Sequence, residues 1–519
     1  MPGDSTPQPA QQPDQNRTSD PTGEGDMSDG ATSTAAGGDG PGVEDFDVVV
    51  LGVGSGGEYV ASQAAQRGRR VAAVEQRLLG GECPFLACVP SKVLLLAATE
   101  ARRSGADPAE AWRAAVAARE EATSSLDDSS QAGDLADAGV TVVRGRGRVT
   151  GPGTVEVGEG ADRRVLRWNE LLLVGTGSSP VVPDLPGLDQ APTWTSDEAL
   201  TSPDLPARLL VLGGGAVGCE LSQVYASFGV AVTLVETSQQ LLPTEDPWVG
   251  EALAEHLRRS GVDVRTGSSL ESVEPATGGT RATLRPAGSG EGDPEEPQHV
   301  EVDRVLVVTG RRPSGDGLGL ELIGVAVDDG AVHVDDRCRA LDADGAPVDG
   351  VLAVGDVTVV SPYTHTANHQ ARVVLARLAG HDVRVRDAGI PRAVYTEPPV
   401  YSVGLSEAAA REAGHDVLTA HQDVTQTARA FLEGLGRPAS GADQGPAGLR
   451  LVAAADGRLL GAAAVGPGAD SWAGELALAV TAGLHVQLLA EHTRAFPSWS
   501  EAITPPALDL AARVGTPVS

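Results

Sequence analysis

The strongest constraint on the fold of this chain is a local pattern that occurs twice: an apolar strand, a glycine turn, a helix, and a second apolar strand ending in an acid. The first copy opens with FDVVVLG at Phe46, turns through Gly52, Gly54 and Gly57, continues as a helix to about residue 68 and closes with VAAVE at Glu75. The second opens at Leu209, turns through Gly213, Gly215 and Gly218 and closes with VTLVE at Glu236. In such a βαβ unit the glycines allow a tight turn and bring a pyrophosphate close to the helix N-terminus, while the acid accepts from a ribose hydroxyl. A glycine triplet alone is a weak signal; the flanking strand, helix and acid make each copy read as a dinucleotide site. Two sites imply two dinucleotides, and proteins that hold two usually pass hydride between them. Glu236 favours NAD over NADP, because a carboxylate pairs with a free 2′-hydroxyl and repels a 2′-phosphate.

The 519 residues allow about three domains. No apolar stretch runs uninterrupted for the about 20 residues a bilayer requires, and the N-terminus lacks a basic segment followed by an apolar one. The expectation is therefore a cytoplasmic protein with no membrane partner. A formal net charge of −32 would repel phosphate backbones, which excludes nucleic acid as a partner class. Residues 1–43, rich in Pro, Gly, Ser, Thr, Gln and Asp, cannot bury enough apolar surface to offset ordering entropy and read as a disordered acidic tail. The segment from Arg285 to Gln298 reads as a polar hairpin-like loop between two strands.

Four cysteines in a chain of this length do not make a disulfide framework, so a bridge here would be catalytic rather than structural. Two of them, Cys83 and Cys88, lie in GGECPFLACVPSK, four residues before Lys92, the only lysine in the chain. Five residues of undistorted helix advance about 7.5 Å, outside the roughly 4.4 to 6.8 Å between Cα atoms that a disulfide tolerates. The pair can bridge only where the turn is distorted, and Pro84 with Gly80 and Gly81 is suitable chemistry for that. A nearby ammonium would stabilise a thiolate. An Ala- and Arg-rich stretch from Ser91 to Leu126 has helical periodicity interrupted near Gly105 and Pro108.

With these motifs in order, the chain resembles the class I flavoprotein disulfide reductases, which include dihydrolipoamide dehydrogenase and mercuric reductase. The resemblance spans residues 44–519 and rests on GGECPFLACVPSK, LLLVGTGSSPVVPDLPG, the second glycine fingerprint ending in Glu220, VTGRRP around Gly310, VLAVGDVT around Asp356, and YTEPPVYSVGLSE. It implies an α/β fold with two doubly wound dinucleotide-binding domains and a C-terminal α+β dimerisation domain. The FAD domain (44–190 and 314–388) would be split around an inserted NAD domain (191–313), with the interface domain at 389–519. It further implies that Gly52, Gly54, Gly57, Glu75, Lys92, Thr176, Gly177, Ser178 and Asp356 hold FAD, and that Gly213, Gly215, Gly218, Glu236 and Gly310 hold NAD. Cys88 would face the flavin, Cys83 would exchange with substrate, and Lys92 would pair with Glu220. The family works as a homodimer.

One departure stands out. The family ends in His-Pro followed by a glutamate, the histidine being the acid-base group of thiol exchange; here LAEHTRAFPSWSE aligns Phe496 with the histidine, followed by Pro497, and Glu501 with the glutamate. Loss of a general acid-base group costs about 10² to 10⁴ in rate. The pattern therefore directs expectation to a small-molecule electron acceptor that needs less proton handling, such as a quinone. The alternatives are a dihydrolipoyl dehydrogenase-like reductase with a substitute proton donor, or a slow redox sensor. His492 and Arg494 read as surface residues near a helix end, Cys219 as packing, and Cys338 as a residue of a charged strand. His365 and His369 have the spacing of a metal pair but read as structural, and no metal is expected.

Overall fold

The structure, a computed structural model, describes residues 42–288, 297–435 and 445–515. The proposed tail lies outside them except for its last two residues, and Val43 belongs to the first strand, Val43–Leu51. That strand starts before Phe46 because Val43, Glu44 and Asp45 pair with Val165, Leu166 and Arg167.

Val43–Leu51 runs parallel to Val71–Glu75 on one side and to Arg164–Val174 on the other, with Val140–Arg144 beyond Val71–Glu75. Val48, Val49 and Val50 have no exposed surface, as expected of a parallel strand covered on both faces. The sheet is completed by Pro347–Ala353, which returns from far along the chain to pair with Arg164–Val174. Between these two visits the chain builds a second parallel sheet in the order Asp263–Arg265, Ala231–Val235, Arg208–Leu212, Arg304–Val307, Thr193–Trp194. A three-stranded antiparallel sheet, Ser268–Ala276, Gly279–Pro286 and Gln298–Val302, is attached to it. Residues 289–296 of the expected polar loop lie outside the described residues.

The last part is an antiparallel sheet of five strands in the order Pro391–Val394, Val400–Gly404, Leu459–Val465, Gly448–Ala454, Val417–Asp423. Buried residues of this sheet share a core with Leu476, Ala479, Leu489 and Leu510 of helices Gly474–Ala482, Val486–Glu491 and Thr504–Val514.

The interrupted helical stretch is two helices, Cys88–Ser104 and Pro108–Ala122. Gly105 ends the first with φ 63°, and Asp107 caps the second by accepting from the Glu110 N–H at 3.0 Å, with Pro108 at the first helical position. A further helix, Ser129–Asp137, follows in a sequence, SSQAGDLAD, whose composition favours turns and so conceals it.

By length and composition alone the helical stretch Glu82–Ser104 could cross a membrane, but it is broken at Leu86 and Ala87. Its apolarity serves a core: Leu94, Leu95 and Ala98 pack with Trp112, Leu221, Tyr225 and Phe228. The rings of Trp112 and Phe228 meet edge to face at 5.2 Å. This cluster seats the cysteine-bearing helix on helix Ala216–Ser227 of the second nucleotide unit. Beside it Arg119, 2% exposed, donates to the carbonyls of Ser202 (2.8 Å) and Thr201 (2.9 Å). Replacing it with methionine leaves both carbonyls short of a buried donor, so Arg119→Met should destabilise the protein by about 2 kcal/mol or more in chemical denaturation.

Candidate active site

Both glycine turns are built alike. Gly52 (φ 88°) and Gly213 (φ 112°) each pass against a neighbouring backbone: a Cβ would lie 2.4 Å from the Gly175 carbonyl oxygen in one and 2.4 Å from that of Val308 in the other. The third glycines pack as tightly, a Cβ on Gly57 meeting the Gly52 oxygen at 2.1 Å and one on Gly218 the Gly213 oxygen at 1.9 Å. The middle glycines differ, since a Cβ on Gly54 would meet nothing nearer than 4.0 Å and one on Gly215 nothing within 4 Å. Each is the N-cap of a twelve-residue helix with no side chain capping the end. Open space before uncapped amides at the positive end of a helix fits a pyrophosphate.

The acids close each site. Glu75 accepts from the Val53 (2.8 Å) and Arg77 (2.7 Å) amides, and Glu236 from the Gly214 and Ser238 amides, both at 2.7 Å. Ser178 donates to Asp356 (2.7 Å) and accepts from Arg311 (2.7 Å), and Arg311 also binds Glu82. The Thr176 hydroxyl donates to the Ser314 carbonyl (2.9 Å), Gly177 accepts from the Ser314 amide (3.0 Å), and Gly310 accepts from the Val181 amide (3.0 Å). These bonds stitch together the two chain crossings between the nucleotide units.

Between the two units lie the cysteines. The helical turn Glu82–Phe85 breaks at Leu86 (φ −127°, ψ −1°) and Ala87 (φ −139°, ψ −93°), and Cys88 then opens the next helix. The distortion thus falls at Leu86 and Ala87, while Pro84 sits inside the short turn, where a missing N–H costs nothing. The break brings the two free thiols within hydrogen-bonding reach. The bond from Cys83 lowers the Cys88 thiol to about 6, helped by the Thr364 hydroxyl 3.4 Å away and by the Lys92 charge. Cys83 is pushed up by the same bond and by burial.

Lys92 donates to Glu220 at 2.9 Å and lies 4.5 Å from the centre of the Tyr395 ring. The other Glu220 oxygen accepts from the Tyr395 amide at 2.9 Å. Cys83, Cys88, Lys92 and Glu220 are therefore brought together as the sequence led one to expect. Thr364 and Tyr395 were missed; Thr364 sits in the very segment whose histidines drew attention, where a hydroxyl at a helix start carries no spacing signal.

Glu501 is occupied elsewhere in the protomer, accepting from the Ala428 amide at 2.7 Å and the Arg429 amide at 3.4 Å. Phe496 is 78% exposed. Arg494 is not a surface residue: its side chain is buried and bonds Glu475, Thr504 and the Leu489 carbonyl, because the charge is matched inside the C-terminal unit. Nor does Cys338 lie in a strand; it occupies a tight turn at φ 60° and is fully buried. His365 and His369 engage the Pro391 carbonyl and the Arg386 amide.

Two nucleotide-binding units meeting at a polarised dithiol define a dinucleotide-dependent thiol oxidoreductase. Comparison with known proteins agrees. Residues 46–371 match the pyridine nucleotide-disulphide oxidoreductase family, and residues 390–507 match its dimerisation domain. Dihydrolipoyl dehydrogenases are similar over most of the chain: that of Chlorobaculum parvum is 34% identical over 88% of this chain and 95% of its own, and that of Synechocystis sp. 32% over 88% and 97%. The flavoprotein disulfide reductase RclA from Escherichia coli, solved as a Cu(II) complex, superposes with a TM-score of 0.76 at 26% identity, covering 90% of this chain and 99% of that one. The chain belongs to the pyridine nucleotide-disulphide oxidoreductases and is an FAD-dependent oxidoreductase of that family.

Two outcomes check the site. The ultraviolet thiolate absorbance of the reduced protein should titrate with a first midpoint near 6, and Cys83→Ser should move that midpoint because it alters the largest contribution. Gly215→Ala should fold normally yet weaken binding of the nicotinamide cofactor roughly tenfold or more, because its methyl fills the open cradle. Gly218→Ala, in contrast, should lower the melting temperature, since its methyl has no room.

Proposed function

We propose that the enzyme takes reducing equivalents from NADH and delivers them through Cys88 and Cys83 to a small-molecule disulfide. The observation that carries this reading is the polarised pair itself: a thiolate-prone Cys88 at a helix start, bonded to a Cys83 that keeps its proton. FAD, held by Gly52, Gly54, Gly57, Glu75, Thr176, Gly177, Ser178 and Asp356, supplies two-electron exchange with a nicotinamide and with a thiol. Lys92 and Glu220 form a fixed charge pair beside that exchange, and Gly213, Gly215, Gly218, Glu236 and Gly310 hold the nicotinamide cofactor. Glu236 favours NAD, since its carboxylate would repel a 2′-phosphate. Cys88 acts as the thiol next to the flavin and Cys83 as the thiol that meets the acceptor.

The second copy of the chain that the family employs is supported by the C-terminal unit, which exposes Leu432, Leu478, Leu488, Phe496 and Leu508. The similarity to dihydrolipoyl dehydrogenases makes lipoamide the first disulfide to try. A second reading keeps the diverted acceptor: Phe496, aligned with the family histidine, brings no proton, which favours a quinone or a thiophilic metal ion such as the Cu(II) bound by RclA.

Stopped-flow mixing of the NADH-reduced, FAD-loaded enzyme with lipoamide or benzoquinone separates the two. The disulfide reading expects reoxidation by lipoamide that Cys83→Ser abolishes and Phe496→His accelerates. Reoxidation by benzoquinone alone, indifferent to Cys83→Ser, would establish the diverted acceptor instead.

A further inference from the structure

Tyr395 is exposed, yet the backbone around it is pinned by buried side chains. It follows Val394, the last residue of strand Pro391–Val394, and the next two residues run along helix Ala216–Ser227. Glu220 of that helix accepts from the Tyr395 amide at 2.9 Å. Gln223, 1% exposed, accepts from the Glu397 amide at 2.7 Å and donates to the Glu397 carbonyl at 2.9 Å. Residues three apart share one face of a helix, so two buried side chains fix the segment through three backbone bonds. None of the three uses the Tyr395 side chain, and replacing that side chain leaves them in place.

The ring aimed in this way stands over Lys92, whose Nζ lies 4.5 Å from the ring centre. An ammonium has three N–H groups to place. Glu220 Oε2 accepts from it at 2.9 Å, the Ser91 hydroxyl accepts at 3.3 Å, and the ring face stands on a further side. Burial, then the charges of Asp470, Glu220 and Cys88, push the Tyr395 phenol up, so the ring is neutral at pH 7. A neutral ring face attracts the ammonium without cancelling its charge, as a second carboxylate would.

That charge has a nearby object. Lys92 follows Cys88 by one helical turn, and the Ser91 hydroxyl that accepts from Lys92 donates to the Cys88 carbonyl at 3.2 Å. The bond from Cys83 does most to lower the Cys88 thiol, and the Lys92 charge acts in the same direction. The Lys92 side chain is 35% exposed, so an ammonium released from the ring has a path toward solvent.

We propose that Tyr395 is a positioning residue for the dithiol: its ring holds the Lys92 ammonium where the charge acts on Cys88, and the C-terminal unit thereby helps to set the charge of the redox pair. The assignment rests on the reading of Cys88 as the thiol next to the flavin. Without the ring the ammonium spends less time near the sulfur, the Cys88 thiolate loses part of its stabilisation, and its midpoint rises.

The test is a pH titration of the FAD-loaded enzyme reduced with stoichiometric dithionite, followed by the long-wavelength absorbance of a thiolate against flavin. The wild-type midpoint is expected near 6. Tyr395→Leu should raise it by about half a pH unit, and Tyr395→Phe, which keeps the ring face, should leave it unchanged. Lys92→Gln, which keeps a donor for Glu220, should raise the midpoint further, and adding Tyr395→Leu to it should change nothing more. Melting temperature and FAD content report folding, and Tyr395→Met carries the test if the leucine variant does not fold. A Tyr395→Leu enzyme with the wild-type midpoint, or one whose shift persists in the Lys92→Gln background, overturns the assignment alone. A reduced wild-type enzyme with no such absorbance at any pH overturns the placement of Cys88 beside the flavin and this assignment with it.

Discussion

One carboxylate holds the working parts of this protein in register. Glu220 is 6% exposed, receives the Lys92 ammonium on one oxygen and the Tyr395 amide on the other, and belongs to the helix that opens at the second glycine fingerprint. It therefore joins the cysteine helix, the second nucleotide unit and the C-terminal unit at one point. A buried carboxylate is costly to leave unpaired, and two partners from different parts of the chain make its satisfaction depend on all three being in place. Net stabilisation from such a pair is small; its effect is on geometry, and it fixes where an ammonium stands relative to the thiols.

Much of the fold was legible because parallel sheets and dinucleotide sites impose local rules. The glycine fingerprints announce themselves since no other residue fits where a Cβ would lie about 2 Å from a carbonyl oxygen, as at Gly57 and Gly218. The Cys83 and Cys88 pair was readable from spacing, but the place of its distortion was not. Ala87 takes an unusual conformation with no residue type to signal it, whereas Pro84, the obvious suspect, sits quietly in a turn. Helix Ser129–Asp137 was invisible for a related reason: its Ser, Gly and Asp residues favour turns, and tertiary packing around Leu135 overrides them.

The parts of the site that escaped the sequence are those made by convergence across long separations. Thr364 meets Cys88, and Tyr395 meets Glu220 and Lys92, only after three units have packed. Arg494 shows the reverse error. A charged residue near a helix end reads as solvated, yet the Arg494 side chain is buried, its Nε and Nη1 donating to Glu475, Thr504 and a carbonyl while Nη2 has no partner among the described residues.

The return of Pro347–Ala353 to the sheet of Arg164–Val174 sets an order on biosynthesis. Every strand of the second parallel sheet leaves the ribosome before the strand that finishes the first one. The nascent N-terminal sheet must therefore wait with Leu172–Val174 unpaired on that flank, its Arg164–Arg167 end already held by Thr154–Val157, while its neighbour folds, and such an open edge is vulnerable to wrong pairing and aggregation. The enclosed unit, made of contacts nearer in sequence, can fold early and bring the waiting edge toward its late partner.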